Sequence, residues 1–417
     1  MRRSLLITCS ISVLTVAGWT APVAAQTAPP SAVVRCGQTL TSSVRLANDL
    51  VHCRGNGLVI GADNITVDLA GHMISGVNAA GSEGIADDGH RGARIQNGTI
   101  ERFFRNGVGL RKAPHSAVDN MTIRRIGAGG VEGDASAGVQ VQDSPNSSVT
   151  ASRVTNDVVS WQSDGVDVLS SAGVVVSGNQ LARNSWNGMA VVFSPGARVV
   201  GNVFDGNKNQ GIEVNFGSDR IVLARNHARK NVSNGLVVGA ISGALIEDNI
   251  LTGNTGAGLF MFDLLNSRIS GNRAGGNGVG IDLEGGQRVS TGNRIANNDT
   301  STNHQVGLVL GGRANDNVVV DNVSNANQGG PNDGGGIVLF DATGNKLRGN
   351  VANRNRDVGI GVFEDAPGAS NGNVLTANVA NFNGNHGIVA VRGTVDGGGN
   401  RAHGNTPLPN CLRVVCS

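Results

Sequence analysis

Aliphatic residues recur along the chain in short alternating runs, and each run begins one residue after a glycine. The first position after this glycine is aliphatic or Met in all 14 copies, and the third position is apolar in 13, with Asp87 as the exception. The second position varies freely. This alternation predicts a short β-strand with one buried face. The 14 glycines, called coil glycines below, are Gly57, Gly84, Gly107, Gly138, Gly165, Gly188, Gly211, Gly235, Gly258, Gly280, Gly307, Gly336, Gly359 and Gly387.

Asparagine gives a second periodic signal, about 14 and 19 positions after the coil glycines. Asn202 and Asn207 follow Gly188 at these positions, and Asn350 and Asn355 follow Gly336. Asparagine suits tight turns because it tolerates left-handed backbone angles, and identical stacked turns can form amide ladders. A repeat of about 23 residues with a buried strand and polar turns predicts one coil of a parallel β-helix. The sequence therefore predicts an all-β solenoid of about 14 coils over residues 57–404.

Composition agrees with this architecture and limits the function. Glycine and asparagine, 63 and 47 of 417 residues, are poor helix formers. The chain has 33 basic and 31 acidic residues, and loss of Arg2 and Arg3 with a signal peptide would leave 31 of each. A chain without basic excess is a poor partner for nucleic acid. We therefore expect no nucleic-acid partner.

Both ends of the chain carry signals of export and capping. Arg2 and Arg3, an apolar run and small residues before Gln26 predict a signal peptide over residues 1–25, cleaved after Ala25. We therefore expect a secreted or periplasmic protein, and no later apolar run is long enough to span a membrane. Residues 26–56 and 405–417 are predicted to cap the exposed strand edges of the solenoid.

Four cysteines lie in these end segments. Export permits disulfides, and we expect the local pairing Cys36–Cys53 and Cys411–Cys416. The other pairings remain open, as does zinc, although no histidine lies at ligand spacing.

The stretch NGLVIGADNITVDLAGHMISG, from Asn56 to Gly76, resembles the opening coils of exported right-handed parallel β-helix proteins of the pectate-lyase-like and NosD-type repeat families. The resemblance covers residues 36 to about 405. It implies a right-handed β-helix, with any active site in a groove along the outward faces of successive strands. Lyases, hydrolases, epimerases, adhesins and accessory proteins share this repeat, so it does not fix the function.

Acidic and aromatic residues at outward strand positions are the candidate site. Asp167 and Glu213 lie two coils apart, about 9.6 Å at the backbone, which suits an acid and a base flanking a glycosidic bond. Asp282 is the third candidate catalytic residue. We expect Asn215, Glu284, Phe260 and Phe262 to bind substrate. All of these could equally be solvated positions or packing contacts on an exposed sheet.

Asp282 and Glu284 lie two residues apart on one strand and could bind calcium or act as paired carboxylates. Otherwise no cofactor or metal site is expected, and the eight histidines fall on different coils, which disfavours copper. The segment from Ser163 to Asp167 resembles the Asn-Thr-Asp-Gly-Ile-Asp motif of polygalacturonases. The following coil, from Asn187 to Ala190, lacks the acid pair of that family.

The sequence favours a protein that binds or processes extracellular polysaccharide. If it is an enzyme, the resemblance implies a lyase, a C5-epimerase or a glycoside hydrolase. The alternative is a periplasmic or surface scaffold without catalysis. Such a scaffold would bind a protein partner on an apolar outward stripe, formed by Val237, Phe260, Val309, Val338 and Val389.

Overall fold

The computed structural model describes residues 29–127, 136–156, 162–330 and 334–417. These ranges consist of β-strands, turns and bends, and they contain no helix that could cross a membrane. The predicted signal peptide and its cleavage site after Ala25 lie outside the described residues, as does Trp161.

One sheet, called the front sheet, contains the strands that follow the coil glycines. Each strand pairs in parallel with the equivalent strand of the next coil. In the described ranges its sixteen strands are Gln38–Leu40, Leu58–Ile60, Ile85–Asp88, Asn106–Arg111, Ser136–Gln142, Ser163–Leu169, Met189–Val192, Ile212–Asn215, Leu236–Gly239, Ala257–Phe262, Val279–Glu284, Val306–Gly311, Gly335–Phe340, Val358–Phe363, Ile388–Val389 and Cys411–Leu412.

The remaining strands form two further parallel rows, called the back sheet. The rows merge into one sheet at the long strands Arg94–Glu101 and Ala117–Arg124. The first row also contains Ser31–Ala32, Val44–Leu46, Thr66–Asp68, Ser148–Thr150, Val175–Ser177, Arg198–Val200, Val222–Ala224, Leu245–Glu247, Arg268–Ser270, Arg294–Ala296, Val318–Val320, Lys346–Arg348, Val374–Thr376 and Val395–Asp396. The second also contains Leu50–Cys53, Met73–Gly76, Arg153–Thr155, Gln180–Ala182, Val203–Asp205, His227–Arg229, Ile250–Thr252 and Arg273–Gly275, and a separate pair joins Ser290–Thr291 to Ala314–Asn315.

The predicted parallel β-helix is confirmed, together with its strand register. Positions one and three after each coil glycine point into the core: Ile281 and Leu283 are fully buried, and Ile281 pairs with Leu259 and Leu308 in the adjacent coils. Parallel pairing also continues into both end segments, where Gln38–Leu40 pairs with Leu58–Ile60 and Cys411–Leu412 pairs with Ile388–Val389.

The coil glycines recur because the next coil passes directly over them. A Cβ atom on Gly188 would lie 2.6 Å from the carbonyl oxygen of Gly211 and 2.7 Å from the ring of Phe204. Real Cβ atoms do not approach other atoms this closely, so any side chain would push the coils apart. Close approach of the backbones, rather than a turn, therefore requires glycine here.

Buried asparagines form ladders along the corners of the coils. Asn202 donates from its backbone N–H and from Nδ2 to Oδ1 of Asn226, at 3.0 and 3.2 Å, and Nδ2 also donates to the carbonyl oxygen of Val176. Asn226 repeats this pattern with Asn249. Each side chain thus satisfies buried backbone groups of its neighbours, which explains why asparagine is so abundant.

Each end of the described chain carries one disulfide. Cys36 bonds to Cys53 and Cys411 bonds to Cys416, which confirms the local pairing. Asp396 also fastens the C-terminal segment, because its Oδ2 accepts a hydrogen bond from the backbone N–H of Val415.

Candidate functional site

The outward positions of the front sheet carry the candidate acids in one straight column. Asp167 pairs with Ala190, and Ala190 pairs with Glu213, so the two carboxylates lie two coils apart as the sequence predicts. Gln140 precedes Asp167 in the same column.

Asp164 lies with Asp167 and Glu213 in a group of three acids, which we call the acid cluster. Asn187 connects two of its members, because its backbone N–H donates to Oδ1 of Asp164 at 2.9 Å and its Nδ2 donates to Oε2 of Glu213 at 3.0 Å. Asn215 donates from Nδ2 to the other Glu213 oxygen, Oε1, at 2.8 Å. Both oxygens of Glu213 therefore accept an amide hydrogen bond.

Burial changes the protonation of the other two acids. Burial raises the pKa of Asp164 well above its ordinary value, and the negative charges of Asp167 and Glu213 raise it further. Burial also raises the pKa of Asp167 to about 6, against the opposing effect of its hydrogen bond with Gln140. The cluster thus places two carboxyls with raised pKa values beside Glu213, whose oxygens accept hydrogen bonds from two amides. General acid–base chemistry can use carboxyls whose environments differ in this way.

Sequence reasoning missed Asp164 and Asn187. Both lie directly before a coil glycine, and polar residues at this position satisfy the backbone of the next coil: the Gln210 N–H donates to Oδ1 of Asn187, and the Asn234 N–H donates to Oε1 of Gln210. A polar residue precedes eight of the 14 coil glycines, and this recurrence was the available signal. It identifies the column but does not show which of its residues contribute to a site.

Asp282 lies away from the acid cluster. It is five coils from Asp167 and three coils from Glu213 in the same column, about 24 Å and 14 Å at the usual strand spacing. The three predicted catalytic residues therefore do not converge on one bond. The acid cluster holds two of them, and Asp282 belongs to a second site.

This second site is a cavity of about 340 Å³, called the Asp282 cavity. Its lining residues are Asn234, Thr255, Gly256, Ala257, Phe260, Gly278, Val279, Asp282 and Gln305. Burial, together with the charge of Glu284, raises the pKa of Asp282 to about 7. Oδ1 of Asp282 is buried and has no hydrogen-bond partner among the described residues.

The predicted substrate-binding residues divide between the two sites. Asn215 contacts the acid cluster, as described above. Phe260 lines the Asp282 cavity, and its ring centroid lies 5.8 Å from that of Phe262. Glu284 is exposed and pairs with Phe262 across adjacent strands.

The described residues contain no group of three or more His, Cys, Asp and Glu side chains arranged to hold a metal ion. Among the soft donors of these ranges, the cysteines form disulfides and Met121, Met189 and Met261 are buried in the core, which leaves the partly exposed Met73 as a single thioether. This donor set does not fit a copper site.

Comparison with known proteins gives one partial family match. Residues 128–299, less than half of the chain, match the family model of NosD, described as a periplasmic copper-binding protein. No curated protein matches the chain.

The chain is similar to several solved structures at low identity. The periplasmic alginate epimerase AlgG is 14% identical, with 84% of this chain and 78% of that chain covered and a TM-score of 0.44. The A-module of a mannuronan C-5 epimerase from Azotobacter vinelandii is 14% identical, with 88% and 91% covered and a TM-score of 0.48. The Dettilon tailspike protein is 16% identical, with 84% and 60% covered and a TM-score of 0.41.

The stacked strand register, the glycine column and the asparagine ladders define the fold of the chain. The chain has the fold of a parallel β-helix repeat protein.

Proposed function

We propose that the protein binds an extracellular polysaccharide along the front sheet and hydrolyses it at the acid cluster. The observation that carries this proposal is the pairing of Asp167, whose pKa is raised to about 6, with Glu213, whose two oxygens accept amide hydrogen bonds. Two disulfides fit the oxidising environment outside the cytoplasm, so we place the protein in the periplasm or the medium.

Each acid has a defined role in this proposal. Asp167 donates its proton to the glycosidic oxygen as the bond to the sugar breaks, and Glu213 removes a proton from the water that attacks the sugar carbon. A spacing of two coils, about 9.6 Å at the backbone, leaves room for that water and fits inversion of configuration. Asp164 is a third carboxyl beside Asp167 and Glu213. Asn187 positions both Asp164 and Glu213 through its two hydrogen bonds.

The test follows polymer size by gel filtration after the secreted protein is incubated with a panel of polysaccharides. We expect one polymer to shorten. Glu213→Gln and Asp167→Asn should each lower the rate at least 100-fold, because general acid–base catalysis typically contributes that much. Glu247→Gln is the matched control, since Glu247 lies in the back-sheet strand Leu245–Glu247.

Retained cleavage in both acid-cluster variants would refute the assignment. Co-elution of the protein with a polymer that does not shorten would support polysaccharide binding and refute the hydrolysis. No effect on any polymer would favour the second candidate, a scaffold that binds protein. That candidate is supported by partly exposed apolar outward positions in the later coils, at Val309, Val338 and Val389.

A further inference from the structure

We infer that the Asp282 cavity binds an ammonium group, and that the polysaccharide on the front sheet therefore carries free amino groups. This inference rests on the proposed binding of polysaccharide along the front sheet and names the class of that polysaccharide. It concerns a site separate from the acid cluster.

The lining of the cavity suits a cation with several hydrogen-bond donors. Asp282 is the one ionisable residue among the nine that line it, and its buried Oδ1 lacks a partner. A buried polar oxygen without a partner is costly, and an ammonium offers three donors and no acceptor. Phe260 adds an aromatic ring to the wall, and such rings attract cations held over their faces.

The charges on the front sheet point the same way. From Ser163 to Phe340 its described strands contain five acidic residues, Asp164, Asp167, Glu213, Asp282 and Glu284, and no Lys or Arg. Arg111, in an earlier strand, is already paired with Glu83 and Asp88. A polymer of uronic acids would thus bring its carboxylates against protein carboxylates without a cation between them, whereas an amino polymer meets opposite charge.

The cavity and the acid cluster can contact one ligand chain. Asp282 lies three coils from Glu213 in the same outward column, about 14 Å along the helix axis. A polysaccharide that follows the column would therefore place one sugar in the Asp282 cavity while another lies at the acid cluster.

The experiment measures binding by calorimetry with three oligosaccharides of equal length: a glucosamine oligomer, its fully N-acetylated counterpart and a mannuronate oligomer. The glucosamine oligomer should bind at least tenfold more tightly than the other two. Asp282→Asn should remove at least tenfold of that affinity, and Phe260→Leu should weaken the same binding. Asp248→Asn is the matched control, because it removes the same charge from an exposed turn next to the back sheet.

Several results would overturn the inference. Equal or tighter binding of the mannuronate or N-acetylated oligomer would refute the proposal that the ligand is an amino polymer. This result would not affect the proposed hydrolysis at the acid cluster, which the polymer-size assay tests separately. Undiminished binding by both cavity variants, with unchanged melting temperatures, would refute the cavity as the site. If the glucosamine oligomer binds in a way that depends on Asp282 but no polymer is hydrolysed, the proposed hydrolysis is refuted and the inferred amino polymer stands.

Discussion

Asp87 is the one residue that interrupts the apolar third position of the coils. It is fully buried on the inner side of the strand Ile85–Asp88, where Oδ1 accepts a hydrogen bond from the His90 backbone N–H at 3.0 Å. Oδ2 has no partner among the described residues. Burial raises the pKa of Asp87 to about 6, since the core cannot solvate the ionised carboxylate. This acid in the core thus contributes to a dependence of the stability of the solenoid on pH.

The direction of that dependence follows from the raised pKa of Asp87. The folded state binds the proton more tightly than the unfolded state, so the stabilisation is complete below the unfolded pKa of 3.8 and is lost as the pH rises through about 6. The rise of the Asp87 pKa from 3.8 to about 6 corresponds to about 3 kcal/mol. Asp87→Asn keeps the acceptor for His90 and cannot ionise. Its free energy of unfolding should therefore fall less than that of the wild type between pH 4 and pH 7.5.

Urea unfolding of both proteins across that range measures the difference. The subtraction isolates Asp87, because the other acids with raised pKa values, Asp164, Asp167 and Asp282, titrate in both proteins. Parallel stability curves for the two proteins would show that residue 87 does not titrate in the folded core.

At the scale of the strand and the turn, periodicity predicted most of what the structure contains. The alternation after each coil glycine determined which residues face the core, because a slip of one residue would expose every aliphatic side chain. The number of residues between a coil glycine and an asparagine was a poorer guide to which asparagines pair in a ladder. Asn373 follows Gly359 by the same interval as Asn350 follows Gly336, yet Asn350 bonds to Asn378, and Asn373 accepts from Asn345. The loop between the strands Val358–Phe363 and Val374–Thr376 is longer than its counterpart, and it shifts the count.

The glycine column gives a prediction at this scale. Gly188→Ala should destabilise the protein by about 2–3 kcal/mol, since the added methyl group meets the backbone of the next coil and the ring of Phe204. Gly55→Ala is the control, because a Cβ atom at Gly55 has no neighbour within 4 Å. It should change stability by less than about 0.5 kcal/mol. Equal chemical-denaturation midpoints for the two variants would contradict the close stacking of coils at Gly188.

At the scale of the whole molecule, residues at the same position in successive coils lie in order along the axis of the solenoid, one coil apart. The sequence could place Asp167, Glu213 and Asp282 on one outward column. Their shared column made them candidates for one catalytic set, but three coils separate Asp282 from Glu213, which is farther than one glycosidic bond can span. Asp164 was missed because its importance comes from Asn187, on the next coil, and from the charges around it. The acid cluster and the Asp282 cavity are therefore two separate sites along one extended surface rather than parts of one pocket.

This linear arrangement predicts that the benefit of the Asp282 cavity depends on ligand length. Only an oligomer long enough to span about 14 Å can occupy the cavity and the acid cluster together, and linked contacts strengthen binding only when the ligand reaches both. With glucosamine oligomers of increasing length, kcat/KM for the wild type should rise sharply once this span is reached. Asp282→Asn should lose that rise and match the wild type on shorter oligomers. A defect of equal size at every length would mean that Asp282 acts within the acid cluster itself, which a separation of three coils forbids.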